Sequence, residues 1–314
     1  MDATRIDVQV QLSSGFAKSE FNIIGLADRA VKESAERILN VLAALNIALP
    51  PKKLTVNLSP ADVEKSGSHF DLPILCGILC AIGILPEEKL SQYLILGEVG
   101  LNGAIVKTDA VLPAGVWAKR NDLGLICPGP QGGEARLSGH DDILAPFHVL
   151  ELINHFNGTS PLTLPDTVSG TEGPQQHTID MSDVHGQAAA KRALEIAAAG
   201  GHAMLMVGPP GSGKTMLASR LPTIMPEMTA EEILETSIIY SIAGQLDNKS
   251  LMSSRPFRSV HHTSSPEPWP GAVQMPDPVK YPWRITGYCS WTNYQNLIGR
   301  HWKSCASQWK AVKF

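Results

Sequence analysis

Gly208-Pro-Pro-Gly-Ser-Gly-Lys-Thr215 is the stretch whose reading decides the fold. It fits G-x-x-x-x-G-K-[ST] at every position. The apolar run Ala203-Met-Leu-Met-Val207 precedes it and predicts one buried strand; Met216-Leu-Ala-Ser-Arg-Leu221 follows and predicts a helix start. Strand, glycine loop and helix together are the context in which this pattern counts as a phosphate-binding loop. Gly208, Gly211 and Gly213 would let the backbone curl with its N–H groups turned inward. Pro209, Pro210 and Ser212 would fill the span between them. A curled loop at the positive end of a helix suits a di- or triphosphate. In that reading Lys214 reaches the β- and γ-phosphates and Thr215 ligates Mg²⁺, so ATP and Mg²⁺ are the expected ligands.

Composition sets the limits. At 314 residues two domains are expected. Apolar residues make up 43% of the chain, enough for real cores, and the net charge is −4, so no overall basic field draws it to nucleic acid. Any DNA contact would need a local patch. No apolar run approaches the roughly 20 residues of a membrane span, and no signal-peptide pattern opens the sequence. The five cysteines lack metal-ligand spacing; Cys76 and Cys80 fall in an apolar helical run, where packing is the expected role. A reducing cytoplasm is the expected compartment.

Working outward, Arg5–Leu12 alternates apolar and polar residues as a half-buried strand does, and Phe21–Gly25 is a second strand. Asp28–Ala44 has helical spacing. Leu54–Leu58 reads as a strand closed by Ser59-Pro60, and Phe70–Leu85 as one buried helix. Leu94–Gly100 and Ala104–Val106 predict a hairpin around Asn102-Gly103. A helix over Ala110–Arg120, a strand over Leu123–Cys127 and a helix over Val149–Phe156 complete an α+β or α/β domain over 1–156. The stretch 157–178 is rich in Gly, Pro, Ser and Thr and reads as a linker. Past it, Val184-His-Gly-Gln187 precedes a helix over Ala188–Ala199 stopped by Gly200-Gly201, and a further helix is expected over Ala230–Ser241.

Several stretches together resemble the YifB/ComM family, the magnesium chelatase-like AAA+ ATPases of bacteria. They are Pro51–Asp62, Gly67–Pro73, Gly97–Gly103, Val184–Gln187, the loop at 208–215, and Arg255-Pro-Phe-Arg258 with His261-His262. The resemblance implies a Lon-protease-like (ribosomal S5 domain 2-like) α+β domain over 1–156. A P-loop AAA+ α/β domain would follow from 179. It implies further that Val184, His185 and Gly186 line an adenine pocket. The intact family member would be a homo-hexameric, ATP-driven, DNA-remodelling motor of the branch-migration type, with no membrane partner. The Arg255–His262 loop would face a pore or a neighbouring subunit.

The same resemblance raises peptide cleavage. Lon uses a serine–lysine dyad; Ser68, in Ser68-His-Phe-Asp71, lies near the serine's place, but the lysine would fall near Val111, where the sequence is apolar. Without a base a hydroxyl stays a weak nucleophile. No peptidase is therefore expected, with Ser68 and His69 read as a polar turn capping a helix and Lys107 lying close in sequence to the place the dyad lysine would take.

An AAA+ ATPase also needs an apolar strand ending in Asp-Glu, to hold Mg²⁺ through water and polarise the attacking water. No such strand follows residue 215. From Glu267 to Phe314 the character changes, with five of the six tryptophans and no apolar period. A one-base shift of permitted codons offers a cause. For Trp283–Leu297 the shifted frame can read LAHNGILFLDELPEF, which contains the Asp-Glu motif. The expectation is a single-base deletion near the codons for Pro266-Glu267, leaving 179–266 as the N-terminal part of the AAA+ domain and 267–314 as an out-of-frame tail. A further strand is expected ahead of Arg5. The rival readings are a defective nucleotide-binding fragment and a magnesium-chelatase-type subunit. A Lon-like first domain argues against the second of these.

Overall fold

The computed structural model describes residues 4–13, 21–166, 179–246, 250–260 and 288–291. His261, His262, most of the expected linker and nearly all of the tail lie outside them. The described chain runs β1 (Asp7–Ser13), β2 (Phe21–Ile24), α1 (Arg29–Ala44), β3 (Lys53–Ser59), α2 (Asp71–Ala81), α3 (Glu87–Leu90), β4 (Tyr93–Ile95), β5 (Glu98–Val99), β6 (Ile105–Val106), α4 (Val111–Arg120), β7 (Gly124–Ile126), α5 (Gly132–Arg136), β8 (Ile143–Leu144) and α6 (Val149–Phe156). Beyond these come α7 (Ala188–Gly200), α8 (Lys214–Arg220), α9 (Ala230–Ile242), β9 (Phe257–Val260) and β10 (Tyr288–Trp291). Two compact units result, one made of residues 1–171 with 237–251, the other of 172–236 with 252–314.

The first unit is organised on β3. Its alternation puts Leu54, Val56 and Leu58 inside, at 3%, 0% and 0% exposure, and Thr55 and Asn57 on the other face. β1 pairs with it antiparallel, Val10 opposite Val56, and β2 pairs with it in parallel, Ile23 beside Val56. Helix α1 starts where the Asp28 carboxylate accepts the Val31 N–H at 2.8 Å, an N-cap that satisfies a donor the helix cannot. Its Val31, Ile38, Val41 and Leu42 recur on one face and enter the same core. Helix α2 crosses β1 closely: a Cβ on Gly77 would stand 2.7 Å from Val10 Cγ2. A second sheet, β4-β7-β8, is parallel throughout, and β5 and β6 form the expected hairpin.

Two expectations in this unit need correction. Leu94–Gly100 is not one strand: Tyr93–Ile95 joins the parallel sheet, while Glu98–Val99 turns to pair with Ile105–Val106. The turn falls at Leu96-Gly97, where Leu96 N–H still bonds to Ile126 and Gly97 N–H bonds instead to His69 O. The helix expected over Phe70–Leu85 ends at Ala81, and Gly83 follows at φ +79°, a backbone that glycine takes without strain.

In the second unit, α7 ends on Gly201 at φ +61°. α9 opens on a reciprocal cap: Thr229 Oγ1 accepts the Glu232 N–H at 3.3 Å and Glu232 Oε2 accepts the Thr229 N–H at 3.0 Å. The buried strand expected at 203–207 does not form. Residues 202–209 take no regular structure, and Val207 is 67% exposed. A strand is stabilised by ladder bonds and covered faces. Among the described residues β9 and β10 pair in parallel with each other, and nothing pairs with 203–207. The fold class is thus mixed α/β with parallel sheet.

Candidate functional site

The glycine loop is built on α8. Gly213 precedes the helix at φ +82° and Gly211 stands at φ +80°, so both take the left-handed backbone that the sequence pattern reserves for glycine. The helix begins at Lys214, two residues ahead of the expected start. The Lys214 ammonium folds back over the loop and donates to the carbonyl oxygens of Gly208 and Pro209, each at 2.8 Å, and contacts Ser212 Oγ at 3.2 Å. Ser212 N–H bonds to Pro209 O at 3.3 Å, closing a turn over Pro209–Ser212. Thr215, in the first turn of α8, is exposed.

Val184, His185 and Gly186 lie beside this loop. Val184 is 1% exposed and packs in a cluster with Leu194, Leu217 and Leu221, which ties it to the inner face of α8. Its carbonyl accepts from Lys191 Nζ. His185 and Gly186 are exposed, and Gly186 turns the chain at φ +68°. Two contacts absent from the sequence-based site fix this segment: Gln187 Nε2 donates to Ser212 O at 3.3 Å, and Arg220 Nε donates to Asp180 O at 3.0 Å. Gln187 is the last residue of the quoted Val184–Gln187 stretch. Arg220 ends the loop's own helix. Position alone was the signal for each.

Would the residues present fit a nucleotide and its magnesium? Gly211 and Gly213 stand in the left-handed backbone that a curled loop uses, and the Lys214 ammonium is held against the carbonyls of Gly208 and Pro209. A hydroxyl follows directly in the helix, with water access. That donor set fits a polyphosphate and a hard, oxygen-liking cation. The carboxylates that might substitute for the missing Asp-Glu strand are placed otherwise. Glu227 and Glu231 are exposed, and Glu232 is paired with Arg255 at 3.0 Å. Arg255 also donates to Pro226 O at 2.8 Å, so this arginine braces the start of α9.

In the first unit Ser68 Oγ donates to Glu98 Oε2, and Val111 is fully buried among apolar side chains. Ser68–Phe70 forms a 3-10 turn ahead of α2, and Gly67 has no side chain to cap it. Asp71 is completely buried and takes a two-pronged bond from Arg37, at 2.7 and 2.9 Å. Arg37 is raised further above its usual range by that bond. Burial pushes the Cys76 and Cys127 thiols well up and Cys80 to about 11, so all three are protonated packing groups at neutral pH.

Comparison with known proteins fits this picture. Residues 180–281 match the family described as magnesium chelatase, subunit ChlI, and residues 8–130 match subunit ChlI of Mg-chelatase. The competence protein ComM of Haemophilus influenzae is 37% identical over 281 residues, which cover 88% of this chain and 55% of ComM. YifB of Escherichia coli K12 is 34% identical over 278 residues, covering 88% and 54%. The chain belongs to the magnesium chelatase-like family of ComM and YifB. It spans about half the length of these curated relatives. The family match in the second unit runs past residue 266, to 281, and so overlaps the stretch expected to be out of frame. Both units match families described as ChlI, so a first domain of this kind does not by itself argue against a chelatase subunit. Among the described residues no helix is long and apolar enough to cross a membrane.

Proposed function

We propose that this chain is an ATP-binding AAA+ protein of the magnesium chelatase-like type. In this reading Gly208–Gly213 cradles the phosphates, Lys214 meets the β- and γ-phosphates, and Thr215 ligates Mg²⁺. Val184, His185 and Gly186 border the base. The observation that carries it is the nested Lys214 ammonium over a loop whose Gly211 and Gly213 are both left-handed. Bound Mg²⁺ would supply charge neutralisation at the phosphates. The chain's own part is to bind and orient them.

The first unit is read as Lon-protease-like in fold and non-proteolytic. The Ser68 hydroxyl is engaged by the Glu98 carboxylate and not by a lysine, which supports that reading. The intact relative is read as a cytoplasmic, hexameric, DNA-remodelling motor. The competence protein among the relatives supports this over metal insertion into a porphyrin. The chelatase reading rests on the family descriptions alone. A defective fragment with an out-of-frame tail is the second reading, favoured by the unpaired 203–207 segment and the change of composition after Glu267.

Calorimetry with Mg-ATP tests the site. Lys214→Ala should abolish binding, since the nested ammonium is the cation within the loop. Equal affinity in wild type and variant would remove the assignment.

A further inference from the structure

Helix α4 begins without a cap of its own. Ala110, at its N-cap position, stands at φ +66° and has no side chain to accept a helix N–H. A helix leaves its first N–H groups unpaired, and alanine is a poor cap. The Leu112 N–H is instead met at 3.3 Å by Glu134 Oε1 and, at the same distance, by Ser241 Oγ. The Ser241 hydroxyl donates to Glu134 Oε1 at 2.6 Å, and the Ala110 N–H donates to Ser241 O at 3.2 Å. Gln131 completes the cluster. Its amide holds Glu134 Oε2 at 2.9 Å and bonds both the N–H and the C=O of Thr108 at 2.7 Å. Glu134, Gln131 and Ser241 are 3%, 6% and 3% exposed.

A carboxylate so buried is tolerated only when its oxygens are fully bonded, and the N-terminus of α4 favours its charge. One of those bonds comes from more than a hundred residues downstream. The chain beyond Ser241 is fitted to the place as well. Gly244 stands at φ +63°, and a Cβ there would lie 2.7 Å from Asp109 Oδ1. Between this stretch and the wall formed by Lys107 and Asp109 lies a polar cavity of about 130 Å³. At this wall the stretch is held by these hydrogen bonds and by the close backbone approach at Gly244.

We propose that residues 237–246 are a strap that completes the first unit, with Ser241 acting through the buried Glu134 carboxylate as the cap of α4. The first unit is then built from two separate stretches of chain, and the phosphate loop is carried on the segment inserted between them. α9 is one continuous helix whose first half, 230–236, belongs to the second unit and whose end carries Ser241. The inference is independent of what the loop binds.

Amide hydrogen exchange on the full chain tests it. Ser241→Ala should speed exchange in residues 108–113 about tenfold or more, the size expected when a charged buried group loses one hydrogen bond, while β3 keeps its protection. Exchange at 108–113 within about twofold of wild type would overturn the strap, since a bond that closes the helix start cannot be lost silently. Should the alanine variant unfold the whole chain, Ser241→Thr decides. It keeps the hydroxyl, so native protection at 108–113 supports the cap, and unfolding like that of the alanine variant overturns it.

Discussion

Two apolar runs of similar length meet opposite fates. Leu54-Thr-Val-Asn-Leu58 becomes the centre of a three-stranded sheet, with its three apolar side chains essentially out of water. Ala203-Met-Leu-Met-Val207, ahead of the glycine loop, joins no ladder among the described residues and leaves Val207 two-thirds exposed. Apolar content does not separate them; neighbours do. β3 has β1 and β2 at its two edges, and α2 crosses β1 closely through Gly77. The second run needs a parallel partner strand, and none is present among the described residues. A parallel strand buried on both faces exists only when the whole sheet does.

The largest test restores the partner. Inserting one base ahead of the codons for 267–314, so that the tail encodes the Asp-Glu strand, should raise ATP turnover by roughly 10³–10⁵-fold, the usual worth of the groups that position water and stabilise the transferred phosphoryl. It should also bring protection from amide exchange to 203–207. Similar turnover in both versions would mean that the unpaired run is not a missing-strand defect.

The first unit should fail from within instead. Arg37→Ala strands the fully buried Asp71 carboxylate and should cost about 3–5 kcal/mol in urea unfolding. A loss below about 1 kcal/mol, the value of a surface pair, would show that the pair is effectively solvated.

The two runs can be set directly against each other. Leu58→Ala should cost about 2–5 kcal/mol through the cavity it leaves. Val207→Ala should change stability by less than about 0.5 kcal/mol, as exposed positions do. Comparable costs would mean that 203–207 is packed after all.

The smallest effect is electrostatic. Burial lowers the His69 pKa from its ordinary 6.5, against the pull of Asp109 and Asp71. The unfolded chain then binds a proton at a pH where the folded chain does not. Stability contributed by neutral His69 is present above about pH 6.5 and is lost as pH falls toward the folded value. His69→Gln should flatten that slope, leaving the part due to His155, which burial shifts the same way. An unchanged slope would remove His69 as its source.

Much of this was legible locally. The strand at 54–58, the helical spacing after Asp28, the helix of 188–199 and the glycines Gly211 and Gly213 each specify a conformation by short-range rules, and the fold follows them. Sequence missed the turn at Leu96-Gly97, because it is fixed by bonds to Ile126 and His69 far along the chain, whereas the early end of α2 is a local matter of Gly83 at φ +79°. It also missed the polar cluster of Gln131, Glu134 and Ser241, in which Ser241 bonds to Glu134 across 107 positions.

By itself, then, the sequence determined the backbone of the glycine loop: Gly211 and Gly213 take left-handed φ that favours glycine, and Lys214 opens the next helix. Tertiary structure decided which apolar runs became strands, how α4 is capped, and to which unit the end of α9 belongs. The reason is the same in all three. Ladder bonds, buried carboxylates and open helix ends are satisfied by partners distant in sequence, and no local pattern records where those partners will be.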